Sequence, residues 1–340
     1  MIDKQLLQQM IYEKYVNVTK HPTADLYIYN YSAKAQYEKL WNEVTLQCRG
    51  LILDGDGNVV ARPFRKFFNL EEHDPSEIPN LPFDVYEKID GSMFLIVAYK
   101  NQLIYATRGS FISDQAIKGK EIFKNKYANL TSRIEKYKTY VFEVIYPENR
   151  IVVEYPNIED IILLSIIDNK TGSEKLENIG FTTVKKYDGI NDYRKLKELE
   201  EDNKEGFVIK FSNNFRVKVK FDEYIRLHRI LTGVSNIAIW EYLKDGNSLD
   251  ELLDRVPDEF YDYVKRTKQE LENEFNSILD ECMRLRRYNF NTQKEAAEYI
   301  KEQNHSSILF NMYNDKKYDH LIWKLVRPTF QKPFKQQTEC

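Results

Sequence analysis

Apolar residues in this chain recur with two different spacings, and the change between them divides the sequence. From Cys48 to about Phe221 they come in short runs bounded by turn residues, the texture of strands. Strands are expected over residues 50–53, 59–62, 84–87, 93–99, 102–107, 140–146, 161–167, 206–211 and 215–221, with an earlier extended piece over 26–31. Helices are expected over 4–15, 33–41, 113–127 and 191–200. The turn Asp54-Gly55-Asp56-Gly57-Asn58 joins the first two runs as a hairpin. It resembles a calcium loop in composition, but Arg65 stands where such a loop needs its last Glu and no helices flank it. After about His228 the apolar positions take helical spacing, with helices expected over 249–255, 258–287, 292–303 and 306–312. Strands with few intervening helices imply a mainly antiparallel α+β domain over residues 1–228, followed by an all-helical C-terminal domain over 229–340.

Composition narrows the class. With 42% hydrophobic and 30% charged residues in 340, the chain has the makeup of a folded, water-soluble protein and ample length for a buried core. No apolar run reaches the length of a membrane span, and the segment from Met1 lacks the apolar core of a signal peptide. Three widely spaced cysteines, Cys48, Cys282 and Cys340, fit neither a zinc site nor a disulfide framework, so a reducing cytosol is the expected setting. A net charge of -3 argues against a general nucleic-acid coat but leaves room for a local basic groove. Only five histidines are present, and none falls into a metal pattern or a Ser-His-Asp or Cys-His arrangement. His228 reads as structural, at the domain junction.

The chemistry concentrates at Tyr86-Glu87-Lys88-Ile89-Asp90-Gly91-Ser92, between two apolar strands. Lys-x-Asp-Gly alone is a weak motif. It gains weight from an ordered set on neighbouring strands: Cys48-Arg49-Gly50, Arg65-Lys66-Phe67-Phe68-Asn69-Leu70, Arg108-Gly109-Ser110, Phe142-Glu143, Glu205-Gly206-Phe207 and Lys218-Val219-Lys220. Strand alternation puts Lys218 and Lys220 on one face, with Val217, Val219 and Phe221 on the other. Such a pair is either a solvated strand face or an electrostatic clamp for a phosphate. Glu143 lies within the very apolar Tyr140-Val141-Phe142-Glu143-Val144-Ile145, where an unpaired charge is expensive, and that favours a functional role.

The whole set resembles the covalent nucleotidyltransferases, the superfamily of polynucleotide ligases and mRNA capping enzymes. Within it, the similarity is to the T4 RNA ligase 1 family of tRNA-repairing RNA ligases. Tyr29-Asn30-Tyr31, Cys48-Arg49-Gly50, Lys66 through Leu70, Pro147-x-Asn149-Arg150-Ile151-Val152, and Tyr224 with Leu227-His228 carry the narrower match, over roughly residues 25–230. The resemblance implies an ATP-grasp-like ligase domain in which Lys88 attacks ATP and holds AMP covalently. A lysine attacks only as the neutral amine, and positive charge from Lys218, Lys220 and a bound metal would disfavour its ammonium form. By the same resemblance Glu205, Asp90 and Glu143 serve Mg²⁺ or Mn²⁺, directly or through water, with Glu143 also reaching the ribose. Arg49 and Lys66 bind the β- and γ-phosphates, with Tyr29 supporting that end. Arg108 stands where the family usually has lysine, and Gly91 allows close backbone approach beside the nucleophile. Leu164 and Ile166 line the adenine slot or belong to the sheet core.

The partner implied is RNA bearing 5′-phosphate and 3′-hydroxyl ends, single-stranded or a broken tRNA loop, with single-stranded DNA as a further substrate to test. A phage-infected or bacterial cytoplasm is the implied setting, and no membrane role is expected. In the C-terminal third, Met283-Arg284-Leu285-Arg286-Arg287-Tyr288 and the basic tail over 316–335, with Tyr318, Trp323, Phe330 and Phe334, form either an RNA-binding surface or a solvated face with a terminal anchor. Two rival functions stay open: a GTP-dependent capping-type guanylyltransferase, and an RNA-binding protein that keeps the fold without catalysis. The first is weakened because the chain turns helical where capping enzymes and DNA ligases carry a β-barrel domain.

Overall fold

A computed structural model describes residues 2–156, 158–232, 234–249, 253, 261–286 and 290–329. It divides into two compact units, Met1–Leu231 and Thr232–Cys340. The first unit is a mixed α/β body of three sheets.

The chain opens with helix α1 (Lys4–Tyr12), capped by the Asp3 side chain. Strands β1 (Val16–Lys20), β2 (Leu26–Tyr31), β3 (Arg49–Asp54) and β4 (Val59–Ala61) form the first sheet in that order. Between β2 and β3 lie two short helices, α2 (Ala33–Tyr37) and α3 (Glu43–Gln47). β5 (Phe68–Asn69) and β6 (Phe83–Glu87) lead into the hairpin of β7 (Ser92–Tyr99) and β8 (Gln102–Thr107). Helix α3 ends one residue before β3, and α4 (Asp114–Lys126) follows β8. With β9 (Lys138–Ile145), β10 (Asp160–Asp168) and β11 (Glu174–Lys175), that hairpin makes the second sheet, ordered β11-β10-β9-β7-β8 and antiparallel throughout. β12 (Lys186–Tyr187), β13 (Gly206–Phe211) and β14 (Arg216–Lys220) complete the third sheet, ordered β12-β6-β13-β14-β5, in which only the β14–β5 pairing is parallel.

The second sheet is buried on both faces, which explains its near-continuous apolar strands. Along β7, Met93, Leu95 and Val97 pack towards the first sheet with Leu26, Ile28 and Ile52. Phe94 and Ile96 turn the other way, against Ile122 and Phe123 of α4. Each such large apolar side chain contributes about 1.5–3 kcal/mol by leaving water. A third cluster, with Ile145, Ile162 and Leu164 from the second sheet and Tyr86 and Ile89 from around β6, sits where the second and third sheets meet beside Lys88.

Several expected elements differ. The helix expected over 4–15 stops at Tyr12, and residues 16–20 form an edge strand in which only Val16 is buried, so it carries no alternation to read. The helix expected over 33–41 ends at Tyr37, just before Lys39 at φ 53°, a left-handed conformation that breaks helical bonding. Residues 193–199 form a 3-10 helix, and the two-residue strands β5, β11 and β12 are too short to leave a period.

Helix α5 (Asp222–Thr232) follows β14. The described part of the second unit contains α6 (Asn236–Lys244), α7 (Tyr261–Leu285), α8 (Gln293–Lys301), α9 (Ser306–Tyr313) and α10 (Asp319–Leu325). Trp323 stacks on Phe275 at 4.7 Å, and Tyr318 packs against the cluster around Ile308 and Met312, so both aromatics serve packing. Most of the helix expected over 249–255, and Arg287, Tyr288, Phe330, Phe334 and Lys335 of the two basic segments, lie outside the described residues. Among the described residues no helix is long and apolar enough to cross a membrane.

Candidate active site

Lys88 is placed by three adjacent strands of the third sheet. As β6 ends, the Lys88 amide donates to the Gly206 carbonyl at 2.9 Å, and Gly206 pairs in turn with Lys220 on β14. Lys88, Glu205 and Lys220 thereby lie side by side across the sheet. Gly206 sits at φ 141°, and a Cβ there would collide with the Val219 carbonyl, so only glycine lets β13 begin this close to β14. The row closes through charge: Lys88 Nζ lies 2.8 Å from Glu205 Oε2, and Lys220 Nζ lies 3.2 Å from Glu205 Oε1. Glu205 is 3% exposed. Burial presses its carboxyl upward, but the Lys88 and Lys220 ammoniums outweigh that and hold it below the usual carboxylate range. Lys218 and Lys220 are both buried, while Val217, Val219 and Phe221 of the opposite face pack into the sheet core.

Glu143 reaches the same lysine from the second sheet. It pairs with Met93 on β7 and Ile162 on β10. Gly91 brings the two segments together, because a Cβ there would lie 2.6 Å from the Val144 carbonyl and 3.1 Å from Glu143 Cγ. Part of Glu143 stays open to solvent, yet protein surrounds it closely enough that burial pushes its carboxyl up to about 7. Lys88 and Arg49 lower it, Glu205 and Asp90 raise it, and burial prevails. Among the described residues no hydrogen bond or ion pair is recorded for its carboxylate.

Asp90 has a different occupation from the one expected. Oδ2 accepts from the backbone amides of Val152 and Val153, both at 2.8 Å, and Oδ1 accepts from the Tyr224 hydroxyl at 2.8 Å. Its own amide donates to the Tyr155 hydroxyl at 3.0 Å. At 3% exposure with both oxygens engaged, Asp90 is a clamp joining the nucleophile loop, the 152–153 segment and α5, which takes it out of the expected metal set. Among the described residues no three His, Cys, Asp or Glu side chains form a metal-binding group. Asn149 adds a second tie, donating to Ser92 Oγ at 3.1 Å and to the Val144 carbonyl at 3.2 Å, next to Gly91 and Glu143 respectively.

The remaining cations line up on aromatic rings. Arg49 Nη1 lies 3.3 Å from Met93 Sδ and its guanidinium 5.6 Å from the Phe67 ring. Arg108 donates to the Tyr31 hydroxyl at 3.1 Å, and buried Lys66 has the Tyr31, Trp41 and Phe68 rings within 5.5 Å of its ammonium. Tyr31, not Tyr29, meets these cations. The β2–β3 register shifts by one residue on β3, where Gly50 at φ 90° goes unpaired, and Tyr29 packs against the α1 and α3 side of the first sheet. The same device separates Leu164 from Ile166: a shift between Leu163 and Ser165 leaves Leu164 with the cluster beside Lys88 and sends Ile166 into the core under α4.

Sequence reasoning thus brings Lys88, Glu143 and Glu205 to one place, with Lys220 beside them, and misses Tyr31, Trp41, Asn149, Tyr155 and Tyr224 as structural partners. Tyr31, Asn149 and Tyr224 stood within the motif strings. Trp41 left no signal, because nothing in its spacing ties it to Lys66.

Lys88 is thus ion-paired to the buried Glu205, with Lys220 on the neighbouring strand and a second carboxylate, Glu143, nearby. Residues 47–224, more than half of the chain, match the T4 RNA ligase 1 family model, described as RNA ligase, and the chain belongs to that family. It is 36% identical over 200 residues to a putative RNA ligase of Thermovibrio ammonificans, covering 53% of this chain and 52% of that protein. It is 28% identical over 278 residues to a putative bifunctional polynucleotide kinase/RNA ligase of Autographa californica nuclear polyhedrosis virus, covering 72% of this chain and 39% of that protein. The chain therefore spans about half the length of these relatives or less. A solved Naegleria gruberi RNA ligase with pyrophosphate aligns with a TM-score of 0.41 at 16% identity, over 48% of this chain and 57% of that one, a likeness too slight to argue from.

Proposed function

We propose that this chain is an ATP-dependent RNA ligase that joins 5′-phosphate and 3′-hydroxyl ends through a covalent AMP on Lys88. The observation that carries the reading is the Lys88–Glu205–Lys220 row, with Glu143 facing it from the second sheet. In the first step the Lys88 amine, having shed a proton, attacks the α-phosphorus of ATP; a P–N bond forms and pyrophosphate leaves. Glu205 Oε2 receives the Lys88 hydrogen bond before that step and keeps the nucleophile aimed. An RNA 5′-phosphate oxygen then attacks the same phosphorus, breaking the P–N bond and forming an RNA-adenylate. Finally an RNA 3′-hydroxyl attacks the 5′-phosphorus, sealing the strand and expelling AMP.

Lys218 and Lys220 clamp the charge that develops on the transferring phosphate. Arg49 and Lys66 hold the β- and γ-phosphates, and Arg108, on the Tyr31 hydroxyl, adds positive charge to the nucleotide site. Residues 1–228 form the adenylyltransferase part, and residues 229–340 select the RNA, with Arg284 and exposed Met283 as described surface candidates. Repair of broken tRNA in the cytoplasm of a phage-infected or bacterial cell is the biological setting this reading favours.

A divalent cation fits the residues present. Glu143 has a carboxylate whose negative charge is under-compensated, and Glu205, both of whose oxygens meet ammoniums here, adds a second oxygen donor once Lys88 has given up its charge. Mg²⁺ or Mn²⁺ held by Glu143 and Glu205 would supply neutralisation of phosphate charge.

The test is incubation with α-labelled ATP or GTP and Mg²⁺, after pyrophosphate treatment to clear any bound AMP, followed by denaturing electrophoresis. Label from ATP on wild type and none on Lys88→Ala is expected. Label from GTP moves the chain to capping chemistry, and label from neither sinks the enzyme reading. RNA and single-stranded DNA bearing 5′-phosphates are then compared as substrates for sealing.

A further inference from the structure

Every residue of one short segment, Val152 to Tyr155, is tied to a loop that carries one member of the Lys88–Glu205 pair. Val152 and Val153 give their amides to Asp90 Oδ2, both at 2.8 Å, and the Tyr155 hydroxyl accepts the Asp90 amide at 3.0 Å. Those three bonds hold the chain two residues after Lys88. Glu154, between them, turns to a different loop. Its amide donates to Asn203 Oδ1 at 2.7 Å, and its carbonyl accepts from Asn203 Nδ2 at 2.9 Å. Asn203 stands two residues before Glu205. The segment therefore grips both chains whose side chains meet at 2.8 Å in the ion pair.

The segment is itself firmly seated. Val152 and Val153 are buried in the cluster that holds Val219 and Phe221 of the third sheet, and Tyr155 packs against it. The Asn203 bridge lies at the surface, where one hydrogen bond adds little. Two bonds from one carboxamide to the amide and carbonyl of one residue fix distance and orientation together, as a strand pair does. Asn203 also sits at φ 57°, a left-handed conformation that asparagine tolerates. Beyond it, the Glu205 carbonyl accepts the Phe221 amide at 3.0 Å. The backbone of Glu205 is thus held from β14 on one side and through Asn203 on the other.

We infer that Asn203 is a positioning residue whose carboxamide fastens the entry of β13 to the 152–155 segment and so aims Glu205 at Lys88. For its consequence, in the enzyme-adenylylating step, the inference rests on the ligase reading above. A group that aims the pair alters how fast bound ATP reacts and leaves ATP binding alone.

The experiment compares wild type with Asn203→Gly, which keeps the left-handed backbone and removes the carboxamide, and with Asn203→Asp, which keeps the acceptor and loses the donor. In adenylylation with ATP, Asn203→Gly is expected to lower kcat about tenfold with KM changed less than about twofold. Asn203→Asp is expected to lose about threefold in kcat. A second measurement needs no nucleotide: acetylation of Lys88 by acetic anhydride, read by peptide mass spectrometry on protein cleared of AMP with pyrophosphate. Only the neutral amine attacks, so an ammonium held by Glu205 reacts slowly, and Asn203→Gly should speed it at least about threefold. Lys210 is the control, a β13 lysine of similar side-chain exposure (18% against 21%) that pairs with Glu174 and should not change. A general loosening of the fold would speed both lysines. Equal acceleration of both, unchanged Lys88 acetylation, or a rise in KM with kcat kept overturns the inference. If wild type takes no label from ATP, the ligase reading falls, and the acetylation ratio alone decides for or against Asn203. Equal labelling of wild type and Asn203→Gly defeats the inference and spares the reading.

Discussion

Glu143 and Glu205 approach Lys88 from different sheets, and the protein treats them in opposite ways. Glu205 enters at the start of β13 with an ammonium on each oxygen, and those two charges keep it ionised in a buried place. Glu143 comes from the middle sheet with its carboxyl pushed up to about 7 by burial, and two other carboxylates nearby make matters worse. The same side chain thus serves as a fixed strut in one position and carries an unrelieved electrostatic cost in the other. The difference lies in the neighbouring strand: β14 supplies Lys220 beside Glu205, whereas β10 supplies the apolar Ile162 beside Glu143.

The comparison is broken most severely at Glu205. Glu205→Gln leaves Lys88 and Lys220 facing each other without their shared counter-charge. Chemical denaturation at pH 7 is expected to show a loss of about 2–4 kcal/mol, moderated because Lys88 is partly solvated. Labelling of Lys88 should fall at least about a hundredfold. The sign with pH is that of a depressed carboxylate: its contribution is present above the ordinary carboxylate range and is lost as pH falls through the folded value. Unchanged stability would mean that the row is not a strut.

Glu143→Gln should act in the opposite direction. A carboxyl raised to about 7 in the fold favours the folded state while protonated, and that advantage disappears as pH rises from about 4.5 through 7. The variant is therefore expected to be more stable than wild type by about 1–3 kcal/mol at pH 8, and equal to it below pH 4.5. A Tm difference independent of pH would remove Glu143 from the titration.

The smallest effect sharpens the contrast. Mg²⁺ at ten times its dissociation constant should stabilise wild type at pH 8 by about 1.4 kcal/mol in a thermal shift, and Glu143→Gln should lose most of that gain. An equal gain in both proteins would place the cation elsewhere.

Much of this site was legible because its residues carry their own chemistry and sit on strands with clear periods. Glu143 stood out as a charge within an apolar run, and Lys88, Glu205 and Lys220 as members of an ordered motif set that the structure brings together. What failed did so at irregularities. The extra residue at Leu163/Ser165 parted Leu164 from Ile166. A single added residue reverses which face every later side chain takes, and no alternation pattern announces it. Asp90 failed for another reason: its type suits a metal, but two backbone amides and the Tyr224 hydroxyl, from residues 62 to 134 positions away, claimed its oxygens first.

By itself the sequence determined the antiparallel strands of the first unit and the opposed faces of β14, because alternation is a local property. Only the tertiary structure decided which carboxylate would be neutralised, that Asp90 would clamp three segments, and that Trp41 would stand over Lys66. Those outcomes depend on distances between residues far apart in the chain, and burial gives each of them its energetic weight.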